Sequence, residues 1–223
     1  MTMRKTIQDK ILEGRQYRRN DSHPELSAMD GDEMRVVGHA CTFNEPYLLY
    51  REGNEYEIWE QIDPAAFGEC DMTDVIMQFD HTGRVLARTR NGTLTLATDA
   101  DGLRIEADLS KSSLGPGVYE DIKNGLLDRM SFGFRVKSDK KERFDEDNKI
   151  RIVRTITAFE KLYDVSVVSI PANDGTDISA RSYCDGVIAE LEAERLKVQK
   201  REHKRKALKL KLELEGVIEH ENN

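Results

Sequence analysis

The chain has 223 residues, enough for one medium domain with extensions or for two small ones. Hydrophobic residues make up 38% and charged residues 34%, so a core can form beneath a highly charged surface. A formal net charge of −8 argues against nucleic acid as a partner, because phosphate binding needs clustered cations.

Residues 1–33, with "RRNDSHPELSAMDGDE", hold turn formers and charge and are expected to form a flexible N-terminal arm. From 34 to 182, short bursts of alternating apolar and polar residues separated by turn signals predict a β domain. "MRVVGHACTF" is a strand that runs into a loop at Asn44, Glu45 and Pro46. "YEIWEQI" is another, followed by "DPAAFGE", where Asp63 can cap a short helix with Pro64 at its first position. "TDVIMQFDH" is an apolar strand that gives out at His81, Thr82 and Gly83. "RTRNGTLTLATDADGLRIEADLS" carries two turn signals, Asn91-Gly92 and Asp101-Gly102, each between alternating runs, so two hairpins are expected.

"GPGVYEDIKNG" reads as a short helix, with Pro116 near its start and Gly125 just past its end. The strand "RMSFGFRV" follows: Met130, Phe132, Phe134 and Val136 point one way, Arg129, Ser131, Gly133 and Arg135 the other. After a charged turn, "SDKKERFDEDNK", come the strands "IRIVRTITAF" and "EKLYDVSVVSIPAN". Residues 183–223, rich in Glu, Lys, Arg, Leu and Ala, form an expected charged helical C-terminal extension. There are too few helices between strands for a doubly wound parallel sheet. The expected fold is therefore mainly β (α+β): a closed or nearly closed antiparallel-type β-barrel of six or more strands with short flanking helices.

Cys41, Cys70 and Cys184 are too few and too scattered for a disulfide framework or a paired zinc site. No apolar run reaches membrane-spanning length, and "MTMRKTIQDK" lacks a secretory apolar stretch. The reading is a protein of a reducing cytoplasm with neither membrane nor nucleic acid as partner.

Among five histidines, His81 stands where an apolar strand ends in a turn, a place where functional groups are presented. A lone histidine there is more often structural than catalytic. Ser131 has Gly133 beside it on the same face, so nothing bulky crowds it, although Ser166 and Ser169 in "DVSVVSI" are rivals. Asp164 interrupts the apolar run "LYDVSVV". A buried lone carboxylate is costly unless it is paired, and a histidine would pair it; the alternative is a strand-edge acid facing water. Asp71, Asp74, Asp80 and His81 could be imagined as a metal cluster, but no paired-histidine spacing supports one, and neither metal nor cofactor is expected.

In order, His81, Ser131 and Asp164 and the words around them resemble the prohead (capsid maturation) proteases of tailed phages, a family related to the herpesvirus assembly proteases. The resemblance spans residues 34–182 and rests on "VVGHACTFNEP", "EQIDPAAF", "MQFDHTGRVLART", "DADGLRIEADL", "IKNGLLDRMSFGF" and "LYDVSVVSIPAN". By position it implies His81 as general base, Ser131 as nucleophile and Asp164 at an acidic position where relatives carry Glu. The implied substrates are the major capsid protein or its scaffold segment and the protease itself, with self-association, inside assembling proheads in the host cytoplasm. Other readings are a non-enzymatic capsid or scaffold component and a metal-assisted hydrolase. Beyond "KREHKRK", leucines at 208, 210, 212 and 214 alternate strictly with charges, a strand period written in helix formers; this tail is read as a segment that binds scaffold or shell.

Overall fold

The computed structural model describes residues 14–19, 26–29, 33–146, 149–169 and 178–221. It divides into two compact units, Met1–Ser182 and Tyr183–Asn223. Eleven strands are described, all in the first unit: β1 Gln16–Arg19, β2 Ser27–Ala28, β3 Arg35–Thr42, β4 Tyr47–Glu52, β5 Tyr56–Ile62, β6 Ile76–Phe79, β7 Thr82–Arg88, β8 Leu94–Thr98, β9 Gly102–Asp108, β10 Arg129–Glu146 and β11 Lys149–Val168.

The mainly β expectation holds, but neither sheet closes into a barrel. One sheet has seven strands in the order β1-β10-β11-β5-β4, with β6 also on β11 and β7 on β6; the other is β2-β3-β9-β8. Nor is the larger sheet antiparallel throughout, since β5 and β6 both run parallel to β11, one beside Ile150–Ile156 and the other beside Asp164–Val167. The physical reason lies in what alternation encodes. It gives each strand one apolar face, and a barrel and two facing layers satisfy that equally well. Here the inner faces of both sheets meet in one core: Val36, Leu103, Ile105 and Ala107 come from the smaller sheet, and Met130, Phe132, Phe134, Ile156 and Val165 from the larger. Phe134 and Phe159 lie 4.9 Å apart edge to face at its centre, a geometry favoured by aromatic quadrupoles.

Three local expectations change. The charged segment expected as a turn is strand over its described residues: β10 and β11 run as one long antiparallel ribbon as far as the pair Glu146↔Lys149. Charge on both faces is compatible with a ladder here because β11 is held on its other edge by β5. Asn91-Gly92 does not close a hairpin; β7 belongs to the larger sheet and β8 to the smaller, so this turn carries the chain between layers. Residues 63–69 form successive turns rather than a helix, with Ala66 donating to the Asp63 carbonyl at 2.9 Å and the Ala65 N–H held by Asp63 Oδ1 at 2.8 Å.

The hairpin at Asp101-Gly102 joins β8 to β9, with Thr98 opposite Leu103. The short helix is Gly115–Lys123, and Gly125 follows it at φ 71, a conformation that favours glycine. Of the expected N-terminal arm, residues 1–13, 20–25 and 30–32 lie outside the described residues, but 16–19 and 27–28 are strands of the two sheets. The second unit is served by a long helix, Ile178–Glu221, which takes in the alternating leucines; Leu196, Val198, Leu208 and Leu210 are exposed on it. The "PAN" that ends the last sequence word lies outside the described residues. Among the described residues, no helix is long and apolar enough to cross a membrane.

Candidate active site

The site forms where β1, β10, β11 and the β6–β7 turn meet. On β10, Ser131 and Gly133 lie opposite Ser166 and Asp164 of β11, so four small or polar residues share one patch of the sheet. The ladder shifts just beyond it: Gly133 faces Asp164 but Phe134 faces Leu162, leaving Tyr163 as an extra residue. Bulges of this kind commonly re-aim side chains beside functional sites.

His81 arrives from the adjacent hairpin. Phe79 pairs with Thr82, so Asp80 and His81 are the two central residues of a tight turn, both left-handed at φ 47 and 56. A non-glycine residue there is strained by about 1–2 kcal/mol. The turn is held by β11 and the residue after it: Asp80 N–H donates to the Val167 carbonyl at 2.8 Å, and its carboxylate accepts from Ser169 N–H at 2.9 Å and Ser169 Oγ at 2.8 Å. Strain sustained in this way is typical of groups fixed for function.

These elements bring the three sequence-predicted residues together. His81 Nδ1 bonds Asp164 Oδ1 closely, and His81 Nε2 lies 2.6 Å from Ser131 Oγ. The carboxylate on Nδ1 sets the tautomer: Nδ1 carries the proton, and Nε2 is left as the acceptor facing the serine. Ser166, read from sequence only as a rival nucleophile, donates its Oγ to Asp164 Oδ1 at 2.9 Å and so orients the acid. Asp164 is 1% exposed; its Oδ2 has no hydrogen-bond partner among the described residues, and Arg15 Nη1 stands 4.0 Å away. The ring of Tyr17 packs edge-on against His81 with centroids 4.6 Å apart.

Gly133 gives the acid its room. A Cβ there would lie 2.4 Å from Asp164 Oδ2 and 2.7 Å from the Tyr17 ring. The short reach of Asp, compared with Glu, is met because the facing strand carries no side chain. Gly133→Ala is therefore expected to push the carboxylate off His81, lowering turnover by about 100-fold and stability by about 1–3 kcal/mol. Steady-state rates and a thermal melt check this; a variant with wild-type turnover would show that the contact relaxes harmlessly.

Other candidates lie elsewhere. Asp74 is held by a two-pronged bond from Arg88, with both contacts at 2.6 Å, Asp71 by Lys161 and Thr73, and Asp80 by Ser169. The acids considered as metal ligands are thus engaged separately rather than gathered round His81. Burial pushes the Cys41 thiol up to about 12 and that of Cys70 to about 11, so neither is a thiolate at neutral pH.

Sequence reasoning did not anticipate a second buried polar cluster beside the site. Glu60 is fully buried and accepts from Arg18 Nε at 2.6 Å, Arg154 Nη1 at 2.7 Å and Tyr47 OH at 2.6 Å. Burial pushes the Glu60 carboxyl up, but the two guanidiniums outweigh it and hold it below the ordinary carboxylate range. Its signal in the sequence is a charge on each apolar face: Glu60 alternates with Tyr56, Ile58 and Ile62 in "YEIWEQI", and Arg154 with Ile150, Ile152 and Ile156 in "IRIVRTITAF".

A serine hydroxyl on an imidazole that is itself held by a carboxylate is the arrangement of a serine hydrolase site. The family described as caudovirus prohead serine protease matches residues 22–186, well over half of the chain, and the chain belongs to that family. It is 32% identical over 115 residues to the "Prohead protease" of Escherichia phage T5, a match covering 52% of this chain and 50% of that protein. The chain thus spans about half the length of the curated relative it matches. No solved structure matches it.

Proposed function

We propose that this chain is a serine endopeptidase that cleaves the scaffold segment of the capsid protein, and itself, as phage proheads mature in the host cytoplasm. One observation carries the assignment of roles: His81 bridges Ser131 and Asp164 within a single buried patch. Family membership supports the substrate class and the compartment.

In this mechanism His81 Nε2 takes the Ser131 proton as Oγ attacks the scissile carbonyl. Asp164 holds the ring in its tautomer and stabilises the imidazolium, and Ser166 keeps the carboxylate oriented toward it. The imidazolium then protonates the leaving amine, and water resolves the acyl-enzyme by the same route in reverse. A cut of this kind is irreversible in the shell and can fix the order of assembly.

Co-expression with the major capsid protein of its own phage tests the reading. A defined internal cut in the capsid chain is expected, read from peptide ends by mass spectrometry and persisting in isolated proheads treated with chelator. A capsid chain that stays full length would indicate the non-enzymatic alternative, and loss of cutting with chelator a metal-assisted one.

A further inference from the structure

Strand β1 lies where an extended substrate would lie. It is the edge strand of the larger sheet, antiparallel to β10, with Arg19 opposite Ser131 and Tyr17 opposite Gly133. Adding a peptide strand to a sheet edge is a common way of binding one, with the backbone giving affinity and alternate side chains giving specificity. With β1 in place Ser131 is only 5% exposed, so no second chain can reach it.

The backbone of β1 also touches the reacting atom. The Arg18 carbonyl oxygen is 2.9 Å from Ser131 Oγ. A hydroxyl has one proton, and His81 Nε2 lies closer, at 2.6 Å. Oγ therefore meets the oxygen of this peptide group, and attack requires the group to turn its carbonyl carbon toward Oγ once the proton is donated to His81.

The Arg18 side chain, 4% exposed, enters the Glu60 cluster. Its Nε and Nη2 bond the two Glu60 oxygens at 2.6 and 3.3 Å, and its Nη1 donates to the Tyr17 carbonyl at 2.8 Å. Arg154 also binds Glu60, and its Nε donates to Asp139 at 2.5 Å. Without Arg18, fully buried Glu60 and part-exposed Asp139 share the one guanidinium of Arg154 among the described residues, with one negative charge in excess. Such a pocket favours a guest cation, and a two-pronged guanidinium best.

We propose that Gln16–Arg19 is a built-in substrate, that Arg18–Arg19 is the bond the protease cuts in itself, and that Glu60 forms the subsite selecting Arg or Lys on the acyl side of the cut. This rests on the serine protease reading above. Ser131 Oγ bonds to the Arg18 carbonyl carbon as its proton passes to His81. The C–N bond to Arg19 then breaks, and the Arg19 amine leaves with that proton. Water adds to the Arg18 ester, giving its proton back through His81 to Ser131, and the Arg18 carboxylate departs. Residues 1–18 are released, and the edge of β10 opens to a second chain.

The full chain, purified and incubated, should yield a product beginning at Arg19 by intact mass. Arg18→Lys should be cut at the same bond within about tenfold of the wild-type rate, and Arg18→Glu at least about a hundredfold slower. A peptide, GRQYRRNDS, supplied to the wild-type chain should be cut between its second and third arginines. The same peptide with Glu for the second arginine should be cut at least about a hundredfold slower; this arm is independent of variant folding. Equal cutting of the two peptides would overturn the basic subsite. A wild-type chain that cuts capsid protein but keeps Arg18–Arg19 intact would overturn the built-in substrate and leave the protease reading standing. A chain that cuts nothing, the capsid protein included, would overturn the protease reading itself.

Discussion

Ser131→Ala is expected to lower proteolysis of the capsid chain and of the enzyme itself by about 10⁴–10⁶-fold, with the fold intact. That corresponds to about 5–8 kcal/mol of barrier at 1.36 kcal/mol per decade. The reason is that, among the described residues, no other group near His81 can replace Oγ. Ser166 is committed to Asp164, and Cys41 is buried with its thiol pushed up to about 12. The substitution removes one oxygen from a strand position and leaves a methyl, so the ladder of β10 with β11 and β1 persists. His81 loses its serine contact but keeps Asp164. In cells making this variant together with capsid protein, both chains should stay full length while shells still assemble. Unchanged cleavage would show that Ser131 is not the nucleophile. Failure to assemble would show that the chain has a structural role besides the chemistry.

The sequence carried the parts of the site that are written locally. The period of two in "RMSFGFRV" put Ser131 and Gly133 on one face, and the interruption of "LYDVSVV" marked Asp164 as an acid needing a partner. It did not carry what depends on remote pairing. Gly133 read as open space beside the serine, whereas it is room for a carboxylate from the next strand. "RQYRR" read as part of a flexible arm because its charges look solvated. Arg18 is nonetheless buried against Glu60, 42 residues away, and no local pattern shows that partner. Closure failed for the same reason. Whether alternating strands form a barrel or two layers is decided by which edges pair, and β5 and β6 share a single edge of β11 in parallel. The turn at His81 was legible, but the left-handed backbone of Asp80 and His81 was not, since neither is the glycine or asparagine that most often takes it.

Asp164→Asn is expected to lower turnover by about 10⁴-fold while leaving the melting temperature no lower than that of the wild type. The two effects have one origin. Asp164 is a buried carboxylate whose Oδ2 has no hydrogen-bond partner among the described residues, with Arg15 only at 4.0 Å. Holding a charge in such a place costs stability, so an uncharged side chain of the same shape relieves the fold. Catalysis needs that charge. An amide can donate to Nδ1, shifting the imidazole proton to Nε2, where it blocks acceptance from Ser131; and it offers no countercharge to the imidazolium. Asp164→Glu separates charge from shape. It keeps the carboxylate but lengthens it against the close contact at Gly133, so it should retain more activity than Asn and melt lower than the wild type. Turnover of the capsid chain and thermal melts on the three proteins check this. An Asn variant within tenfold of wild-type turnover would remove Asp164 from the relay. An Asn variant that is inactive and also markedly less stable would mean that the carboxylate holds the fold rather than the imidazole.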